Sequence, residues 1–224
     1  MSADPEPSAT EVTAKPAKRS PGEEPGRAEL RRAAFLAAAR EVFLENGYEG
    51  ASMSEIVRRA GGSMSTLYEQ FGDKKGLFQA VVDRRVAEIT RQSELELEGH
   101  TPLREGLERI GRYYVQQLTS PESLNMVRAM ISQARNFPEM AMKISYRIPE
   151  RVRESLGHYL RDRVAAGEIE IDDCEGAAAA FLDLLRARMQ LRGLVDVDWR
   201  PSEEEVKTIV DRAVKVCLGG ISAL

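Results

Sequence analysis

Met64, Ser65 and Thr66, with Tyr68 and Gln70 one turn on, are short or polar side chains at the start of a predicted helix that follows Gly61-Gly62. Hydroxyl, phenol and amide groups exposed there can bond to phosphate oxygens and to base edges in a DNA groove. Met64 offers no such bond, so its contact with DNA is apolar, with a thymine methyl as natural partner. Ser52, Ser63 and Lys74 stand at successive helix starts, where unpaired backbone N–H groups attract phosphate. Catalysis finds less to work with. His100 and His158 belong to no metal-spaced cluster, and no glycine-rich phosphate loop follows a strand. The carboxylates fall at surface spacing and in first helical turns, where they cap and solubilise. No catalytic residue, metal ligand or cofactor is assigned, and the chain is not read as an enzyme. Cys174 and Cys217 form no C-x-x-C pair and are expected as buried, reduced thiols.

The elements that must position these groups are helical almost throughout. Residues 1–26, rich in Pro, Ala, Ser, Glu and Lys, lack apolar periodicity and are read as a disordered tail. A first helix is predicted over 27–46, with Phe35, Ala38, Ala39, Val42 and Phe43 on one face and Gly47 as its stop. Ser52 opens a short helix, with Glu55 placed for a capping box and Met53, Ile56, Val57 and Ala60 facing inward. Gly61 and Gly62 end it. Ser63 caps a second short helix, Met64 to Phe71, held by Leu67 and Phe71. Lys74 starts a longer one towards Glu98. Later apolar stripes predict four or five more helices, with Pro149 expected to kink or interrupt a long one. Asp172 or Asp173 caps an Ala-rich helix, and Ser202 with Glu205 makes another capping box. No stretch alternates with period two long enough for a sheet, so the fold class is all-α. Helix, short helix, glycine turn, short helix is the layout of a helix-turn-helix DNA reader.

Charge alone does not suggest nucleic acid. The chain of 224 residues carries a formal net charge of −4. Residues 27–75, with eight basic and seven acidic side chains, are its least acidic part. No apolar run approaches the ~20 residues that span a bilayer, and the N-terminus has no apolar signal core. The chain is therefore expected to be cytoplasmic, with no membrane partner.

The wording of the helix-turn-helix is sharper than its layout. Residues 34–78, AFLAAAREVFLENGYEGASMSEIVRRAGGSMSTLYEQFGDKKGLF, resemble the N-terminal domain of the tetracycline-repressor (TetR/AcrR) family. The resemblance rests on Ala38-Ala39, Phe43, Gly47-Tyr48, Ser52, Ile56, Ala60-Gly61, Ser63, Thr66-Leu67-Tyr68, Phe71, Lys74 and Leu77-Phe78, in order and spacing. It implies phosphate contacts for Tyr68 and Lys74. It implies base-edge positions for Met64, Ser65, Thr66 and Gln70, and an occasional DNA contact for Ser54. Gly62 departs from the family's small apolar residue and is expected to loosen the turn slightly.

The resemblance also implies what the rest does. Residues 27–75 would be the DNA-binding domain, and 76–224 a helical domain that binds a small-molecule effector and forms a homodimer on a palindromic operator. The expected function is a repressor released by an apolar or amphipathic ligand. Residues 121–218 are similar to the C-terminal domain of AefR-like members, through Ala134 to Glu139 and the helix of Phe181, Leu185 and Leu191. For dimerisation, Ala177 to Ala180 and the stripe Val206, Ile209, Val210, Ala213 and Cys217 are candidates. Met126, Met130, Met140, Met142 and Met189 suit an adaptable apolar pocket, and Tyr113, Tyr114, Arg135 and Arg188 could orient a polar group. None is assigned as a ligand contact. Two rivals remain open: a DNA-binding protein answering to a protein partner or to none, and a helical enzyme using the hairpin structurally.

Overall fold

The computed structural model describes residues 26–98, 101–135 and 138–219. Expectations for the tail before Gly26, for His100 and for the side chain of Met140 lie outside the described residues. Within them the fold is all-α: α1 Arg27–Gly50, α2 Met53–Ala60, α3 Met64–Phe71, α4 Lys74–Leu97, α5 Leu103–Thr119, α6 Pro121–Gln133, α7 Pro138–Ala165, α8 Cys174–Val195 and α9 Glu203–Gly219.

The i, i+3, i+4 stripe of α1 buries Phe35, Ala39 and Val42 against Ile56 of α2, Leu67 of α3 and Leu77 of α4. Burial of each such large side chain stabilises by roughly 1.5–3 kcal/mol, enough to hold helices too short to stand alone. Gly47 takes φ +68° and ψ −177° and breaks the helix as expected, after which the chain resumes helical geometry as far as Gly50. One further turn carries Tyr48 back, where it stacks on Phe43 at 6.0 Å and meets the Phe78 ring edge-on at 5.2 Å.

α2 is capped as expected by Ser52, whose Oγ accepts from the Glu55 N–H. The return half of the capping box gives way to a stronger pull. The Glu55 carboxylate turns to Arg58 and Arg59, at 2.7 Å each. Arg59 also forks onto Glu45 of α1 with two bonds of 2.7 Å, pinning α2 to α1. These contacts hold the Glu55 carboxyl at about 2, first through Arg58 and then Arg59, and lower that of Glu45.

Gly62 stands where a side chain has little room. It sits at φ +115°, and a Cβ there would come 3.1 Å from Phe35 Cζ and 3.4 Å from Arg31 Nη1. Bare backbone is what lets α3 approach α1. Arg32 completes the seam, stacking on Phe71 at 4.5 Å and donating to the Gln70 carbonyl at 3.3 Å.

α4 joins two cores. Its first half, through Val86, packs in the cluster of α1–α3, together with Met126, Ala129 and Met130 of α6. Its second half, from Ile89, packs with α5, α7, α8 and α9 around Ile110, Tyr114, Leu156, Phe181, Leu185 and Val210. Pro149, expected to kink or interrupt a long helix, lies inside α7 and does not interrupt it. Asp173, not Asp172, caps α8 by accepting from the Gly176 N–H at 2.8 Å. The Ser202–Glu205 box forms in both directions, at 2.9 and 3.1 Å. Cys174 is buried as expected, whereas Cys217 is exposed near the end of α9.

Candidate nucleic-acid interface

The outer face of α3 is built by its own start. Ser63 Oγ accepts the Thr66 N–H at 3.1 Å and bonds the hydroxyls of Ser65 and Thr66 at 2.8 and 2.9 Å. Three hydroxyls are thus gathered at one helix N-terminus, with Ser63 and Ser65 exposed and Thr66 half-buried. Leu67 and Phe71 lock the opposite face into the core, so the helix cannot rotate without exposing them. Met64 is 36% and Tyr68 46% exposed, both high for apolar-bodied side chains, and both border the hydroxyl cluster. Ser52 and Ser54 are exposed at the start of α2, their hydroxyls bonded at 2.9 Å.

Gln70 sits differently from expectation, and Lys74 is anchored within the chain. Gln70 is half-buried rather than on the outward side, and its Oε1 is buried with no hydrogen-bond partner among the described residues. Its helical angle, one step from Leu67 and Phe71, turns it towards the support. Lys74 is no free arm: its Nζ donates to the Glu49 carbonyl at 2.9 Å and lies 5.1 Å from the Tyr48 ring. α4 starts at Lys74 as expected, capped by Asp73, which accepts the Gly76 N–H at 2.7 Å. An anchored ammonium still keeps donors for a phosphate, and its position is fixed before DNA arrives.

Sequence reasoning passed over Glu69, which is exposed one turn beyond Ser65 on the same face. A carboxylate is the wrong sign for phosphate, which is why it drew no notice. Inside a groove it accepts from cytosine N4. The i, i+4 spacing from Ser65 was the available signal.

Behind this unit, α4, α5, α6, α7 and α8 line a partly open cavity of about 160 Å³. Met126 and Met130 line it, as does Tyr114, whose phenol burial raises to about 12. The other ligand candidates lie elsewhere. Tyr113 donates to the Ile89 carbonyl at 3.3 Å, Met142 and Arg135 are exposed, and Arg188 and Met189 face a depression between α8 and α9. The expected dimer stripe is also redistributed. Val206, Val210 and Ala213 are buried in the chain's own core, Ile209 is half-buried and Cys217 exposed, and Leu184, Leu191 and Val195 form a further exposed apolar strip on α8.

Two sequence families match this arrangement. Residues 35–81 match the bacterial regulatory proteins of the tetR family, and residues 105–220 the AefR-like transcriptional repressor C-terminal domain. The chain belongs to the TetR family. It is a DNA-binding transcriptional regulator of that family, not an enzyme. Among its relatives, the HTH-type transcriptional repressor ComR of Escherichia coli is 38% identical over 66 residues, 30% of this chain and 31% of ComR. That match therefore spans about a third of the curated relative's length. A TetR-family regulator from Mesorhizobium loti superposes with a TM-score of 0.80 at 26% identity, covering 87% of this chain and 98% of the other. The flavonoid-responsive regulator FrrA superposes with a TM-score of 0.66 at 28% identity, over 84% and 95%. Among the described residues no helix is long and apolar enough to cross a membrane.

Proposed function

We propose that this regulator is a cytoplasmic homodimeric repressor that reads a palindromic operator through α2 and α3 and leaves it when a small molecule fills the cavity. Residues 27–75 form the reading unit and 76–224 the effector-binding and dimerising unit, with α4 shared between their cores. The observation that carries the reading is the pairing of a rigidly seated, hydroxyl-rich α3 with a cavity lying against the same core cluster. Met64, Ser65 and Thr66 face the groove, and Ser52, Ser54, Ser63, Tyr68 and Lys74 the phosphates. Gln70 acts by seating α3. The repressing sign rests on the AefR-like repressor match and on ComR, and ligand response on the cavity and on FrrA's description.

Dimerisation rests on Leu184, Leu191 and Val195, an exposed apolar strip that a two-half-site reader would bury. The test has two steps. Selection of random DNA by the purified protein yields an inverted repeat, and that repeat is then challenged with a diverse compound panel in a gel-shift assay. Release by some members supports the reading. Selected DNA with no symmetry, or no release by any compound, overturns it.

A further inference from the structure

We infer that the cavity selects a neutral, single-ring hydroxylated aromatic, a phenol rather than a carboxylate or a bare hydrocarbon. The inference rests on the ligand-responsive reading above and concerns the chemistry of its head group.

Tyr114, Leu118, Met126 and Met130 belong to the apolar lining of the cavity, and Arg85 and Glu122 are among its polar lining residues. Arg85 is held in place by an Nη2 bond of 2.5 Å to Gln117 Oε1. Its Nε points at Glu122 Oε1 across 3.8 Å, too far for a hydrogen bond. Both atoms are buried, and neither has a hydrogen-bond partner among the described residues. A buried donor and a buried acceptor thus stand side by side unmade, which costs free energy until something bridges them.

A hydroxyl is the smallest group that bridges them: its oxygen accepts from Arg85 Nε–H while its proton goes to Glu122. Charge excludes the obvious alternative. The cations in the wall already have counterions, Arg85 with Glu122 and Glu88, and Arg186 with Asp183 at 3.0 Å. A ligand carboxylate has no proton to give Glu122 and would set a second negative charge against it. A hydrocarbon would leave both polar atoms unmade. Size sets the rest. A cavity of about 160 Å³ accepts one aromatic ring, as apolar cavities of about 150 Å³ accept benzene.

Three probes that differ in one substituent decide it: 4-methylphenol, 4-methylbenzoate and 1,4-dimethylbenzene, titrated calorimetrically into the full chain at pH 7.5. The phenol is neutral there, with a pKa near the ~10 of tyrosine, and the benzoate is ionised. 4-Methylphenol is expected to bind about tenfold tighter than either, the worth of a hydrogen bond to a charged group. In Glu122→Gln the carboxylate is gone, and the phenol-to-benzoate preference should fall by about tenfold. The ranking on the unaltered chain stands even if that variant does not fold. Benzoate or hydrocarbon binding as tightly as the phenol overturns the inference, as does an unchanged preference in a folded Glu122→Gln. Compounds of the diverse panel releasing operator while the three probes rank otherwise overturn the head-group assignment alone. No release by any compound overturns the ligand-responsive reading with it.

Discussion

Replacing Gly62 by alanine tests how the reading helix is aimed. Two costs add at this position. The backbone lies at φ +115°, where an L side chain costs about 1–3 kcal/mol. The new methyl also presses on Phe35 Cζ at 3.1 Å, and Phe35 is fully buried and edge-packed on Phe71 at 6.3 Å, so it has little room to yield. Together these come to about 3 kcal/mol, a fall in Tm of about 6–12 °C for a chain of this size. Gly47→Ala is the matched control: φ +68° carries the backbone cost, but nothing lies within 4 Å of its Cβ. Circular-dichroism melts of both variants should show Gly62→Ala lower by at least a few degrees. Fluorescence anisotropy on the selected operator and on random DNA should show the operator losing more, because the relieved turn swings α3 while α2 and α4 keep their phosphates. Equal melting temperatures would show that Phe35 gives way. Unchanged operator affinity in a destabilised Gly62→Ala would show that this turn does not set the angle of α3.

Arg59→Ala should flatten the acid response of the reading unit. Glu55 and Glu45 have lowered carboxyl pKa values, so their clamp is fully present above the ordinary carboxylate range and is lost as pH falls from about 4.5 towards 2; melts over that window with the same slope in both proteins would refute it. Lys74→Ala should weaken operator and random DNA alike and reduce the salt dependence by about one counterion, whereas an effect on operator alone would make Lys74 a reader of sequence. Glu69→Ala should relax the preference at one base pair by about 1–3 kcal/mol, while Gln70→Ala acts on stability; repeating the DNA selection with each variant checks both, and an altered consensus from Gln70→Ala would reverse their roles. Leu191→Asp should leave the fold intact, give a monomer by light scattering and lose operator affinity; a persisting dimer places the interface off α8.

What could be read from residues alone was whatever depends on near neighbours. The bounds of α3 and the Ser52, Ser63 and Ser202 caps came out as expected, because a cap is a contact across three residues. Failures came where a distant residue decided. Glu55 was placed to close a box, but Arg59 outbid Ser52 because Glu45 of α1 holds it nearby. Gly62 read as slack, since nothing local says that Phe35, 27 positions earlier, leaves no space for a methyl. The anchor of Lys74 was hidden for the same reason, the Glu49 carbonyl being brought to it only by the turn after Gly47. Val210 and Leu191 both read as apolar helix surface, and only the packing of α5 against α9 distinguishes the buried one from the exposed one.

The cavity was the least legible part, and its position explains both why and what it can do. Its wall is drawn from both cores: Met126 and Met130 belong to the cluster that seats α1–α3, Tyr114 and Leu118 to the cluster around α8 and α9. No helical stripe reveals such a place, because each contributing face is an ordinary core face in its own helix. An occupant nevertheless touches both clusters at once. Glu122 divides its oxygens, one facing Arg85 and the cavity, the other bonded to Arg40 on α1. A ligand shifts an equilibrium only by the difference in its affinity for two states. Here the difference has a physical carrier. A head group that engages Glu122 Oε1 moves the carboxylate whose other oxygen ties α6 to α1, while the ring wedges the methionines of one core from the tyrosine of the other. Arg40→Ala, which breaks the tie without touching the cavity wall, should therefore leave ligand affinity in place and uncouple it from operator release. Release of operator at the same ligand concentration in Arg40→Ala and in the unaltered chain would show that the signal passes by another route.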